Sequence, residues 1–174
     1  MNKKFFWLDL EMTGLDPSSH VIIEAAAIIT DDNLNIMAQF EPVVLGATQN
    51  QLDLMPDVVR EMHQASGLLD LCISSQVSVS QLEEQLLDFL KKHSAPKNVF
   101  LAGNSVYNDL IFIRKYMPKV AAYMHYRLID VSTIKELTKS WYSVDFKKQK
   151  KHRALDDIQE SINELIFYKN TIFK

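Results

Sequence analysis

Two carboxylates stand two residues apart in the first apolar segment of the chain. Asp9 and Glu11 lie within the aromatic and aliphatic run that predicts a β-strand over residues 5–12. Side chains at i and i+2 of a strand point to the same side, so the two acids are expected about 6–7 Å apart. Both faces of the strand are apolar, and buried carboxylates this close repel each other unless a cation lies between them. The pair indicates a divalent-metal site, with solvated acids at an exposed strand end as the alternative.

A third acid, Asp109, follows a second strand. The apolar run Val99 to Ala102 predicts a short strand, Gly103-Asn104-Ser105 a loop, and Tyr107 to Met117 a helix that Pro118 terminates. Asp109 is therefore expected in the first turn of a helix, beyond the carboxyl end of a strand, where α/β proteins bind ligands. A lone acid at this position equally fits a partner for the helix dipole.

A histidine and a pair of acids surround the start of the last predicted helix, which runs from Ala154 to about Tyr168. His152 precedes the helix, and Asp156 and Asp157 lie in its first turn. At 100° per residue Asp157 falls at the edge of the apolar stripe, whereas Asp156 falls on the polar side. Asp157 is by a modest margin the better candidate to face inward, although an acidic pair here also fits the helix dipole.

The remaining elements must position these residues. Strands are also predicted over residues 21–30, 34–45 and 126–131, and helices over residues 50–63, 80–93 and 132–141, with Ser80 and Ser132 as N-caps of the last two. The order β-β-β-α-α-β-α-β-α-α begins as a meander and then alternates strands with helices. It predicts an α/β fold in which helices flank a mixed sheet of about five strands. The chain, residues 1–174, is expected to form a single domain.

The charge of the chain excludes a generally basic nucleic-acid-binding protein. The formal net charge is -3 and the pI is about 5.9, so any affinity for nucleic acid must be local. Lys147, Lys148, Lys150, Lys151 and Arg153 form a basic run beside His152. This run fits either a solvated loop or a local patch that attracts phosphate.

Cysteine usage and hydropathy indicate where the protein is found. The single cysteine, Cys72, cannot form an internal disulfide, which favours a reducing compartment. The basic and apolar residues at the N-terminus mimic a signal peptide, but Asp9 and Glu11 interrupt them early. No apolar stretch reaches the ~20 residues of a membrane span. We expect a cytoplasmic protein without a membrane segment.

The acids and the histidine together form a known pattern. Their order, Asp-x-Glu, Asp, His-x4-Asp, resembles the DEDDh superfamily of 3′-to-5′ exonucleases, which have a ribonuclease H-like fold. Within that superfamily the chain most resembles the oligoribonuclease family. The matching segments are Trp7 to Asp16, His63 to Leu68, Gly103 to Ser105, His125 to Arg127 with Asp130 to Thr133, and His152 to Ile158. The similarity covers nearly the whole chain.

The resemblance implies a two-metal hydrolytic site. Asp9, Glu11, Asp109 and Asp157 would hold two divalent cations, and oxygen ligands suit Mg²⁺ or Mn²⁺. One cation would activate water and the other would stabilise the leaving oxygen. His152 would be the general base, because an imidazole with a pKa near 6.5 can accept a proton near neutral pH. The product would be a nucleoside 5′-monophosphate.

The resemblance also implies a short RNA substrate and a homodimer. The substrate-binding residues would be Leu15, His63, Ser66, Ser105, Tyr126, Arg127, Ser132 and Thr133. Leu15 would wedge against bases, with His63 and Ser66 lining the active site. Arg127 and the three hydroxyl side chains would cap the 5′ phosphate and exclude longer RNA. Tyr126 would reach the substrate from a second subunit.

One position departs from the family pattern. Val58 stands where the family carries a tryptophan, and loss of an aromatic weakens base stacking, which is worth ~1–3 kcal/mol per base. Substrate affinity or base preference is expected to differ accordingly. Three alternatives remain: a related exonuclease acting on DNA or longer RNA, a non-catalytic nucleic-acid-binding module, and a structural module with surface acids.

Overall fold

The protein contains one mixed β-sheet. A computed structural model describes residues 3–147 and 153–173. The strands are β1 (Lys4–Met12), β2 (Ile22–Asp31), β3 (Ile36–Val44), β4 (Val99–Gly103) and β5 (Leu128–Asp130). Their order in the sheet is β3-β2-β1-β4-β5, with β1-β2 and β2-β3 antiparallel and β1-β4 and β4-β5 parallel. The expected five-stranded mixed sheet is therefore confirmed.

Helices cover both faces of this sheet. Those within the described ranges are α1 (Gln49–Asp53), α2 (Asp57–Ala65), α3 (Leu68–Ser74), α4 (Val79–His93), α5 (Tyr107–Tyr116), α6 (Pro118–Tyr123), α7 (Val131–Tyr142) and α8 (Ala154–Thr171). Helices α4, α5 and α6 pack on one side and α8 on the other. Among the described residues, no helix combines the length and hydropathy that crossing a membrane requires.

Strand β1 is buried on both faces, as its apolar pattern predicts. Phe6 and Leu8 join the core beneath α4 and α5, whereas Trp7 joins the core beneath α8. The Trp7 indole N–H donates to the Thr30 hydroxyl at 3.0 Å, which satisfies its polar atom in the core. Residues at the carboxyl end of β1 therefore enter a region already enclosed on two sides.

Prolines and a glycine break the helical segments more often than the sequence indicates. Pro56 divides the helix expected over residues 50–63 into α1 and α2, because its ring cannot occupy a helix interior. Gly67, with φ of 73°, is the N-cap of the unpredicted α3. Pro118 ends α5 as expected, but it also occupies the first position of the unpredicted α6, where a missing N–H costs nothing.

Two predicted helix caps are wrong. Ser78, not Ser80, caps α4, and its capping box is completed by Gln81. Asp130, not Ser132, caps α7, since the Asp130 carboxylate accepts from the Ser132 backbone N–H at 2.9 Å. Because Asp130 begins the helix, the strand expected over residues 126–131 is reduced to the three residues of β5.

Candidate active site

Three carboxylates meet where β1 and α8 cross. Oxygens of Asp9, Glu11 and Asp157 all lie within 4.8 Å of one another. Glu11 is buried and the other two are half-buried, whereas Asp156 is exposed on the outer side of α8. The cluster combines the strand period, which aligns Asp9 with Glu11, and the helix period, which turns Asp157 inward.

The electrostatics of this cluster favour a bound cation. Burial, followed by the neighbouring charges of Asp157, Glu24 and Asp109, raises the pKa of Glu11 to about 8, while Arg153 opposes the shift. Buried like charges of this kind are unfavourable without compensation. A set of donors made of carboxylate oxygens fits a hard divalent cation. The residues present therefore fit the metal ions that the sequence implies.

Asp109 lies beside this cluster without belonging to its 4.8 Å group. It is buried in the first turn of α5, and burial raises its pKa, opposed by the N–H of Leu10, which donates to its carboxylate at 3.0 Å. Strand β4 pairs with β1 only as far as Trp7 and Ala102, so this N–H lies beyond the last pair. Asp109 therefore takes the place of a strand partner and faces the end of β1.

An ion pair that the sequence did not reveal fixes the start of α8. Glu24 of β2 is fully buried opposite Glu11, and the Arg153 guanidinium donates to it at 2.6 Å through Nη2 and 3.2 Å through Nε. The backbone N–H of Ala154 adds a third bond at 3.2 Å. Glu24 interrupts the otherwise apolar run of β2, and this was the sequence feature that could have indicated a buried ion pair. His152, next to Arg153, lies outside the described residues.

A tightly held loop carries Leu15. A Cβ at Gly14 would lie 2.5 Å from the His20 imidazole, so a larger residue there would have to displace that ring. The Tyr116 hydroxyl lies 2.6 Å from the carbonyl oxygen of His20 and 3.1 Å from that of Pro17. Leu15 is left 62% exposed, projecting from a loop anchored to α5.

Helix α2 brings a buried histidine to the carboxylates. His63 is fully buried and donates through Nε2 to the Met12 carbonyl at 3.0 Å, which leaves its Nδ1 3.9 Å from a Glu11 oxygen. The Ser66 hydroxyl donates to the His63 carbonyl at 3.1 Å. Val58, on the same helix, is 73% exposed. His63 therefore lies directly behind a proposed metal ligand.

Hydroxyl groups meet at the carboxyl ends of β4 and β5. The Ser105 and Ser132 hydroxyl oxygens are 3.2 Å apart, and Thr133 is exposed beside them. The Asp130 carboxylate accepts from the backbone N–H groups of both serines, at 3.1 and 2.9 Å. These hydroxyls are the three predicted for the phosphate cap.

Tyr126 and Arg127 lie at the other end of β5. Tyr126 is 75% exposed and stacks on His125 with ring centroids 4.6 Å apart, while Arg127 donates from Nε to its hydroxyl at 3.0 Å. The register aligns Tyr126 with Lys4 of β1, five residues before Asp9, which is roughly 17 Å along the strands. Within one chain, Tyr126 and Arg127 therefore lie far from the carboxylates.

Comparison with known proteins first identifies the class. Residues 6–165 match the family model described as Exonuclease. A zinc-bound complex of E. coli exonuclease I with single-stranded DNA superposes with a TM-score of 0.77 at 11% identity, over 100% of this chain and 42% of that one. Exonuclease I of Methylocaldum szegediense gives 0.74 at 16% identity, over 99% and 41%. The chain spans less than half the length of these structures, which confirm the ribonuclease H-like fold of an exonuclease domain.

Relatives with higher identity define the particular family. The chain is 46% identical to the mitochondrial oligoribonuclease of Homo sapiens, over 100% of this chain and 75% of the human protein. It is 47% identical to the oligoribonuclease of Mycolicibacterium paratuberculosis, over 99% and 83%. It is 44% identical to a probable oligoribonuclease of Caenorhabditis elegans, over 99% and 91%. The chain belongs to the oligoribonuclease family, as its motifs predict.

Proposed function

We propose that this protein is a 3′-to-5′ exoribonuclease that hydrolyses very short oligoribonucleotides, dinucleotides above all, to nucleoside 5′-monophosphates. The observation that carries the proposal is the group of three carboxylates within 4.8 Å, formed by motif residues of a chain that matches oligoribonucleases over its full length. Fold likeness alone leaves function open, whereas this group has a definite chemistry.

The carboxylates would hold two divalent cations, Mg²⁺ or Mn²⁺. Asp9, Glu11 and Asp157 form the group supported by distance, and Asp109 would add a fourth carboxylate from the other side of β1. Bound cations would activate water and stabilise charge on the leaving oxygen. The chain contributes the enclosed, oxygen-lined position, and His63 supports Glu11 from behind.

His152 would act as general base. Water would attack the phosphorus of the phosphodiester that joins the 3′-terminal nucleotide to its neighbour, and the neutral imidazole would accept the proton of that water. The bond from phosphorus to O3′ would then break, and the electron pair would remain on that oxygen, which is then protonated. The terminal nucleotide leaves as its 5′-monophosphate. Arg153 supports this role, because its ion pair with Glu24 fixes the backbone one residue away from His152.

The proposed substrate site is incomplete in one chain. Leu15 would wedge against a base, with His63 and Ser66 lining the site as the family pattern implies. Ser105, Ser132 and Thr133 offer hydroxyls for a 5′ phosphate, but Asp130 already accepts both serine N–H groups and adds negative charge. A phosphate there requires a cation such as the Arg127 guanidinium, which fits phosphate in a bidentate manner.

A homodimer would supply what is missing. Tyr126 and Arg127 lie far from the carboxylates of their own chain, so we propose that they reach the substrate of a second subunit. The exposed aromatic side chains Tyr126, Trp141 and Tyr142 are 75%, 69% and 58% accessible. Such side chains are enriched in protein interfaces. The cytoplasmic location also stays a proposal, supported by one buried, unpaired cysteine.

The decisive experiment is an assay on end-labelled RNA of two, five and twenty nucleotides with Mg²⁺ or Mn²⁺. We expect the dinucleotide to be cleaved fastest. Asp9→Asn should lower the rate by about a thousandfold, since a ligand to the catalytic metal contributes several kcal/mol, and His152→Ala should also impair turnover. Asp156→Asn, one residue from Asp157 but exposed, is the matched control and should remain active.

The same assay separates the alternatives. Equal rates on all three lengths, or faster cleavage of a twenty-nucleotide DNA, would favour an exonuclease with longer substrates. Binding without hydrolysis would favour a nucleic-acid-binding module. Full activity of Asp9→Asn would refute the metal site, and a thermal shift with Mn²⁺ that Asp9→Asn abolishes would support it independently of turnover.

A further inference from the structure

A buried polar network runs from the core of α8 to the proposed phosphate cap. Glu164 is fully buried, and its two carboxylate oxygens accept from the Tyr168 hydroxyl and from the Asn104 amide, both at 3.1 Å. The same amide donates to the Ser161 hydroxyl at 2.8 Å. Ser161 donates in turn to the backbone carbonyl of Asp157 at 2.8 Å. The network thus touches the helical turn that carries a proposed metal ligand.

The directions of these bonds fix the orientation of Asn104. A carboxylate only accepts, so the NH₂ group of Asn104 faces Glu164 and its amide oxygen faces Ser132. The Ser132 hydroxyl donates to that oxygen at 3.0 Å, and its own oxygen accepts from the Ser105 N–H at 2.9 Å. A serine hydroxyl has one proton, and Ser132 has given it to Asn104. The proton that can turn toward a phosphate is therefore that of Ser105.

The backbone at Ser105 makes this support important. Its φ is 51°, in the left-handed region, which is costly for a residue with a side chain and persists where surrounding contacts impose it. The contacts that impose it include Ser132, which Asn104 holds in place. Asparagine suits the role because it offers a donor to one side and an acceptor to the other.

We infer that Asn104 is a positioning residue for the recognition of a substrate 5′ phosphate, acting through Ser132 on Ser105. The inference deepens the proposed function and rests on it. Glu164 and Tyr168 form the buried end of the hydrogen-bond network that holds Asn104, and Ser105 is the exposed end of that network. Preference for a 5′-phosphorylated dinucleotide should then depend on a side chain that does not itself touch the phosphate.

The test compares two dinucleotides that differ only in carrying a 5′ phosphate or a 5′ hydroxyl. The measured quantity is the ratio of their kcat/KM values, together with the ratio of their affinities by calorimetry in Ca²⁺. Asn104→Ala should reduce both ratios about tenfold, mainly through KM, because the cap hydroxyls lose their orientation. Cleavage of the 5′-hydroxyl dinucleotide reports any effect on the Asp157 turn and should fall less than cleavage of the 5′-phosphorylated one. Asn163→Ala, on the exposed side of α8, is the matched control and should leave the ratios unchanged.

Two further variants show whether Asn104 acts through Ser132. Ser132→Ala should also lower the ratio, and adding Asn104→Ala to it should cause almost no further loss. Asn104→Ser, a smaller polar replacement that places no charge beside the buried Glu164, replaces the alanine variant if that variant fails to fold. Unchanged ratios in Asn104→Ala, or fully additive losses in the double variant, would overturn the inference.

Failure of the proposed function would look different. A wild-type protein that cleaves no dinucleotide refutes that function, while the affinity ratio still tests the role of Asn104. A wild-type protein that cleaves both dinucleotides equally and binds them equally refutes the inference and leaves the nuclease assignment standing.

Discussion

The two ends of the central sheet differ in almost every physical respect. At the carboxyl end of β1, acidic side chains are enclosed by α2, α5 and α8, and burial raises the pKa of Glu11. At the start of β5, Tyr126 is largely exposed and stacks with His125, which itself stacks on Phe100 at 4.3 Å. The first region is charged and buried, and the second is aromatic and open to solvent.

This difference indicates that the proposed activity is divided between the fold of one chain and the association of two chains. Folding of one chain completes the carboxylate group, because Asp9, Glu11 and Asp157 need only β1 and α8. Under the proposal, recognition of substrate would not be completed in the same way, since Tyr126 and Arg127 lie too far from the carboxylates of their own chain. Chemistry would then come from the fold and substrate selection from association. Three predictions test this division, in decreasing order of effect.

The buried end should make the metal-free protein less stable as pH rises. Glu11 has an ordinary pKa of 4.5 and about 8 in the fold, so the folded state holds a proton that the unfolded state releases. This contribution is fully present below about pH 4.5 and is lost progressively up to about pH 8, by a few kcal/mol. Thermal melts in a chelator across this range should show a falling Tm.

Two controls sharpen that prediction. Glu11→Gln should weaken the pH dependence without removing it, because the raised pKa of Asp109 acts in the same direction. Adding Mn²⁺ should raise the Tm most at high pH, where the carboxylates are ionised. A metal-free wild-type protein whose Tm does not fall between pH 5 and 8 would contradict the description of the site as uncompensated buried charge.

The exposed end should act between subunits. Tyr126→Ala should lower kcat/KM for a dinucleotide about thirtyfold, through the loss of ~2 kcal/mol of stacking. Stability should hardly change, because the side chain is 75% exposed.

Mixing the Tyr126→Ala variant with Asp9→Asn should then restore about a quarter of wild-type activity, since random pairing creates dimers with one complete site. A mixture no more active than the sum of its two components would count against recognition in trans.

The smallest effect is expected at the border of the site. Val58→Trp should tighten dinucleotide binding about fivefold, toward the lower limit of stacking energies of ~1–3 kcal/mol. Val58 is 73% exposed, so the larger ring displaces no core residue. Gln64→Trp, on a different side of α2, is the matched control. Equal affinities of both variants and the wild type would show that this position does not contact bases.

Periodicity made much of the fold predictable. β1 to β3, α4, α5 and α8 each carry an apolar repeat long enough to show its period, and helix geometry correctly favoured Asp157 over Asp156 for the inward side. Short elements lack such a signal. α3 and α6 span only seven and six residues; Gly67 precedes the first and Pro118 opens the second, and both residue types also terminate helices.

The parts of the site that escaped prediction depend on distant residues. Glu24 meets Arg153 across 129 positions of sequence, and no local pattern links them. The separation of Tyr126 from Asp9 depends on β4 pairing with β1, which is a property of sheet order. Asn104 stood inside a recognised motif, yet its partner Glu164 became visible only when α8 was placed on the sheet.

The bond from the Leu10 N–H to Asp109 also restricts how such a chain can change over evolution. It fixes the distance from the last β1–β4 pair to Asp109, so an insertion between Gly103 and Asp109 would shift the carboxylate away from the end of β1. The turn between α4 and β4, residues 94–98, contains no residue of the proposed site and is under no such constraint. Length variation among relatives should therefore accumulate before Val99 and be nearly absent from the six residues that follow Gly103.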